Sequence, residues 1–135
     1  MSASENIPAP TVWPTLQAED APTLIDFLVE TLGFVRTAVY ADGDRVAHAQ
    51  LDWPEGGGIM LGSHKPHGTW SREPGTAGTY VVTSQVDALY DRVKRSGAKI
   101  VGEIADQHYG NREFCIADPE GNLWSFGHYR GEPAV

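Results

Sequence analysis

A single cysteine, Cys115, stands in a chain of 135 residues. One thiol forms no internal disulfide framework and no Cys-rich zinc site, so a reducing cytoplasm is the expected compartment. Basic residues are also few, 10 Lys and Arg against 18 Asp and Glu, for a net charge of −8. Without a Lys/Arg cluster to neutralise phosphates, nucleic acid is excluded as a partner. The acidic balance favours solubility and is compatible with a cationic ligand. No apolar run approaches the roughly 20 residues of a membrane span, and the opening MSASENIPAP lacks the basic and apolar regions of a secretory signal. It reads as a disordered leader over 1–10, and no membrane partner is expected. The chain also lacks a GxSxG elbow, a phosphate-cradling glycine loop and an HExxH motif.

What is present is ordinary globular composition, 41% hydrophobic and 21% charged, in one domain's length of chain. The most informative stretch is Tyr109 to His128, where Asp118, Pro119, Glu120 and Gly121 fill four turn positions between two apolar runs. That is a β-hairpin, with Phe114, Ile116, Trp124 and Phe126 alternating onto one buried face. Glu113, Cys115, Leu123 and Ser125 share the other. An earlier segment repeats the turn: Pro54, Glu55 and Gly56 fall 65 residues before Pro119, Glu120 and Gly121. The chain is therefore read as two copies of one unit.

Each copy reads as strand, helix and three strands. In the first (11–63), Thr11 to Gln17 is a strand weakened by Pro14, and Asp20 caps a helix over Ala21 to Leu32 that Gly33 stops. Strands follow at Phe34 to Tyr40, Arg45 to Leu51 and Gly58 to Ser63, the first two joined by a tight Asp42-Gly43-Asp44 turn. A Gly- and Pro-rich linker spans 64–78, with Trp70 as a lid residue in its middle. The second copy (79–130) has a strand at Thr79 to Thr83 and a helix capped by Ser84 with Asp87 in its first turn. Its apolar stripe is Val86, Leu89, Tyr90 and Val93, and Gly97 ends it. A strand over Lys99 to Ala105 and the Asp118 hairpin complete the copy, and 131–135 is a tail.

This βαβββ repeat, with VWPTL, LIDFL, LGF, VAHAQL, GGGIMLGS, YGNREF and DPEGNLWSFG, resembles the vicinal oxygen chelate superfamily of glyoxalases, bleomycin-resistance proteins and extradiol dioxygenases. The resemblance covers about Thr11 to Arg130 and is similar in detail to a bacterial glyoxalase-like branch lacking the metal ligands. It implies an α+β fold, two βαβββ modules curled into a cup-shaped mixed sheet with helices outside and a small-molecule site inside. It also implies a homodimer. Metal-dependent members place His, Gln or Glu ligands on the first and last strands of each unit. Transferred here, those positions fall at Trp13, Met60, Thr79 and Ser125, none of them a ligand type suited to a divalent ion. No metal or other cofactor is therefore expected, a divalent ion remaining the alternative.

Among the remaining candidates, His48 and Gln50 alternate onto the cup-facing side near Met60, where His48 is either a hydrogen-bonding or general-base residue or a structural histidine. Glu113 points inward, as a polar contact or as half of an ion pair within the sheet. Trp13 either offers a flat surface with Trp70 and Tyr109 or plugs the space of a metal. His64 and His67 read as solvated linker residues without a nearby carboxylate, His108 and His128 as strand-end residues, and Cys115 as a small buried apolar group. The expectation is a protein that binds a small molecule in an aromatic-lined cup through Trp13, His48, Gln50, Met60, Trp70, Thr79, Tyr109, Glu113 and Ser125, without transforming it. The alternative is a glyoxalase-like lyase or isomerase, or a dioxygenase-like enzyme, using relocated ligands such as His48 and Glu113 or His48 as base.

Overall fold

The computed structural model describes residues 8–134, so most of the expected leader and the last tail residue lie outside the described residues. The elements run β1 (Thr15–Ala18), α1 (Ala21–Phe27), β2 (Val35–Asp42), β3 (Arg45–Asp52), β4 (Gly58–Ser63), β5 (Gly78–Val82), α2 (Val86–Ser96), β6 (Lys99–Asp106), β7 (Arg112–Ala117) and β8 (Leu123–Gly127). They form two four-stranded mixed sheets, β1-β4-β3-β2 and β5-β8-β7-β6, one from each module, in the expected α+β fold. In each, the first strand pairs parallel with the last and the other pairs are antiparallel. Thr15 lies opposite Met60 and Tyr80 opposite Ser125, the same register 65 residues apart. The repeat seen in the sequence is thus a repeat of sheet architecture.

Local chemistry explains the elements and their departures from expectation. Asp20 caps α1 through Oδ1 to the Thr23 amide, 3.3 Å, and the helix then widens into a π turn over Leu28–Leu32 before Gly33 takes a left-handed φ of 93°. The first strand begins four residues later than expected. Pro14 has no N–H to give a neighbour, although its carbonyl accepts from Met60 N at 3.0 Å. Ser84 does not cap α2: Gln85 occupies the N-cap without a side-chain bond, and the Ser84 amide is given to Glu55 at 2.8 Å.

That contact has a counterpart. Glu120, the equivalent of Glu55, accepts from the amides of Glu19 at 2.8 Å and Asp20 at 3.0 Å, immediately before α1. Each module's turn glutamate therefore grips the chain entering the other module's helix. Beneath these straps lies one aromatic core shared by both halves. Phe34 packs on Trp53 at 4.9 Å and on Trp124 at 5.6 Å, and Trp53 reaches Phe126 at 6.0 Å between ring centroids. The Trp53 indole, standing where the second copy has Asp118, donates across the module boundary to the Val82 carbonyl at 2.9 Å. The aliphatic remainder, such as Leu24, Leu28, Leu51 and Ile59, is fully shielded from solvent.

Candidate ligand-binding site

Alternation sets which side chains leave the core. Along β1, β3 and β4, Leu16, Ala49, Leu51, Ile59 and Leu61 are buried, so Thr15, Gln17, His48, Gln50 and Met60 share the opposite, concave face. The linker closes over this face because Gln17 holds it. The Gln17 amide nitrogen donates to the Trp70 carbonyl at 3.1 Å, and its oxygen accepts from the amides of Lys65 and Arg72 at 3.3 Å each. The result is a hollow of about 210 Å³ lined by Thr15, Gln17, His48, Met60, Lys65, Trp70 and Arg72 among others. A second hollow of about 290 Å³ shares Thr15, Gln17, Trp70 and Arg72 and extends to Glu73, Thr76 and Asn122. Trp70 is 73% exposed, an indole presented at the mouth rather than packed.

The His48 ring stacks on Tyr40, its partner on β2, at 6.1 Å, and its imidazole has no hydrogen bond among the described residues. Gln50, paired with Met60, is turned to Asp52 at 3.1 Å. Neither bonds the other. Two predicted residues fall elsewhere. Trp13 precedes β1, its indole given to the Pro10 carbonyl at 3.0 Å and its ring set so close to Gly58 that a Cβ there would lie 2.9 Å away. Thr79 pairs with the buried Trp124, and so lies on the core side of its strand. The concave-face positions facing Met60 and Ser125 are instead Thr15 and Tyr80.

On the second sheet, Tyr109, Glu113 and Ser125 do come together. The Glu113 carboxylate accepts from Tyr109 Oη at 2.5 Å, Ser125 Oγ at 3.3 Å and Asn111 Nδ2 at 3.4 Å. These are neutral donors. Among the described residues Glu113 makes no ion pair, the alternative role read for it, because Arg112 points the other way to Asp87 and Asp106. Donating to Glu113 pushes the Tyr109 hydroxyl above its usual range, and burial does the same to Tyr80. Burial, and then the Glu113 charge, also raises the Cys115 thiol, which removes it as a nucleophile at neutral pH. Asn111, 2% exposed, anchors the group by accepting from the His128 and Tyr129 amides at 3.0 Å.

Sequence reasoning missed Gln17, Lys65, Arg72 and Asn111. Only the strand alternation of Gln17 pointed to the first of them. It also misjudged His64, whose Nδ1 lies 3.0 Å from Glu19 Oε1 with the side chain only 11% exposed. The linker turns back along β1, its His64 amide bonded to Ala18, and so meets a carboxylate distant in sequence.

A profile of the Glyoxalase/Bleomycin resistance protein/Dioxygenase superfamily matches residues 11–126. The chain belongs to this superfamily. An uncharacterized protein of Mycobacterium bovis is 33% identical over 126 residues, covering 87% of this chain and 82% of its own length. Among solved structures, TioX from a Micromonospora species is similar at a TM-score of 0.74 and 29% identity, over 87% of this chain and 98% of that one. A superfamily member from Sphaerobacter thermophilus shares the fold at a TM-score of 0.66 and 21% identity, over 87% of this chain and 97% of its own.

Superfamily members that use a divalent ion need imidazole, carboxylate or amide oxygen at the facing strand positions. Here those positions carry two aliphatic hydroxyls, a phenol and a thioether, on Thr15, Ser125, Tyr80 and Met60. That set does not fit a hard or borderline cation. Among the described residues no three His, Cys, Asp or Glu side chains converge as relocated ligands.

Proposed function

We propose that this superfamily member captures a small molecule on the concave face of its first sheet, without the metal used by other members and without transforming it. The carrying observation is the hollow built at the Thr15–Met60 pair. Where a metal-dependent relative would present ligands, this chain presents a hydroxyl and a thioether under a linker that Gln17 pins in place. The Trp70 ring supplies a flat apolar surface at the mouth, and the polar groups of Thr15 and His48 give orientation. His48 lacks a positioned partner, so a proton-transfer role has no second residue to complete it. The reading includes a cytoplasmic homodimer, in which the exposed Tyr40 and Tyr80, 64% and 41% accessible, are covered by a second copy.

Two measurements test this. Protein purified without chelator is expected to hold no stoichiometric divalent ion by elemental analysis; one tightly held ion per chain refutes the metal-free reading. Small planar aromatic compounds are expected to shift the Trp70 indole resonance in heteronuclear NMR while leaving the half-buried Trp53 and buried Trp124 indoles unmoved. Trp70→Ala should weaken binding of these compounds, read by calorimetry, at a stability cost within about 0.5 kcal/mol, as for other exposed positions.

A further inference from the structure

We propose that the hollow on the first sheet is selective for an organic anion with a flat apolar body, of which an aromatic carboxylate is the simplest kind. The inference rests on the small-molecule reading above and names its ligand class. The chain is acidic overall, and from that balance a cation is the expected ligand. The local charge is the reverse. Lys65 and Arg72, two of only ten Lys and Arg residues, line this one hollow together with His48, and no Asp or Glu is among its lining residues. Among the described residues neither Lys65 nor Arg72 has a carboxylate within salt-bridge distance. The Arg72 guanidinium touches only the Ser71 carbonyl, at 3.2 Å through Nη1, which leaves most of its fork of donors free.

The Lys65 and Arg72 side chains are both exposed on the linker, and cations without a counter-ion at the edge of a hollow in an acidic molecule are a place where an incoming anion gains charge-assisted hydrogen bonds. The rest of the wall decides the body of that anion. Met60 supplies an apolar floor, and Trp70 offers an indole face at the rim. The direction of entry also follows. The neighbouring hollow places Glu73 beside Arg72, so the charged end belongs in the first hollow and the apolar end toward the shared mouth. The second sheet does not compete for such a ligand, because its concave face already presents the Glu113 carboxylate with only neutral donors around it.

A matched series separates charge from shape: 2-naphthoate, its neutral amide 2-naphthamide, and the cationic 2-naphthylmethylammonium, each titrated by calorimetry with the Trp70 indole followed by NMR. Naphthoate should bind at least about tenfold more tightly than the amide, the effect of one charge-assisted hydrogen bond, and the ammonium should bind most weakly. Arg72→Gln with Lys65→Gln should bring naphthoate and amide to equal affinity by weakening naphthoate far more than the amide, and added salt should narrow the gap in the unaltered chain. Equal binding of all three with a Trp70 response overturns the anion assignment and leaves the small-molecule reading standing. Stronger binding of the ammonium, or no binding by any member, also overturns it. Failure of the metal-free reading shows separately, as retained metal.

Discussion

Asp118 shows how much one residue of a turn can carry. Its carboxylate is 6% exposed and accepts from four donors: the Glu120 and Asn122 amides at 2.9 and 3.0 Å, the Asn122 side chain at 2.9 Å and the Trp124 indole at 2.8 Å. A buried charge is tolerable when its lone pairs are this fully used. Asp118→Ala should therefore cost about 3–4 kcal/mol by urea unfolding, because it leaves several buried donors unpaired. Asp118→Asn keeps one acceptor oxygen and should cost about half as much. The sequence marks Asp118 as a turn former, and so it is. Its grip on a tryptophan six residues on is a tertiary fact that no turn statistic contains.

Among the elements, the linker behaves least like its sequence. Its glycines and prolines predict an open loop, and in composition it is one. Yet Gln17 draws three of its backbone groups onto β1, and Gly75 ends it so tightly against the second hairpin that a Cβ would lie 2.2 Å from the Glu120 carbonyl. Gln17→Ala should leave global stability lower by only about 1 kcal/mol. It should also raise hydrogen exchange at the Lys65 and Arg72 amides well above that of the β4 ladder, measured by NMR or mass spectrometry. Unchanged protection at those amides would remove the clamp from the account of the site. Periodicity and turn chemistry made the strands legible here, with β4 and β7 beginning and ending where alternation places them. The facing positions of the site were less legible, because they depend on the register of two parallel strand pairs whose members lie 45 residues apart. A shift of one or two residues replaces Thr15 and Tyr80 by Trp13 and Thr79. The lining from Lys65 and Arg72 was hidden for a similar reason, since a loop's path is set by what it meets.

At the scale of the molecule, the two turn glutamates hold the halves in their relation. Burial pushes the Glu55 carboxyl upward, but hydrogen bonds from Thr83 and Ser84 and the charge of Arg130 outweigh it, and the net shift is downward. A carboxyl with a lowered folded pKa stabilises the fold above its unfolded pKa, and that contribution is lost as the pH falls through the folded value. Stability should thus fall on acidification below the ordinary glutamate range, and Glu55→Gln should be less stable at pH 7 and show a shallower acid limb that converges with the unaltered chain at low pH, read from urea midpoints across pH. An unchanged acid limb would show that the strap contributes nothing through its charge. The repeat itself was plain from Pro54-Glu55-Gly56 and Pro119-Glu120-Gly121, but that each glutamate serves the opposite half was not, because a repeat in one dimension does not say which copy it touches in three.

The pairing of Trp53 with Asp118 has a last implication for how such a chain is inherited. At the same place in each repeat, one half offers an indole that reaches across to Val82 and the other a carboxylate that turns inward to Trp124. The two halves are no longer spare parts for each other. A protein assembled from a tandem of the second half alone would forfeit the bridge to Val82, so the two halves share an outline but not their fittings.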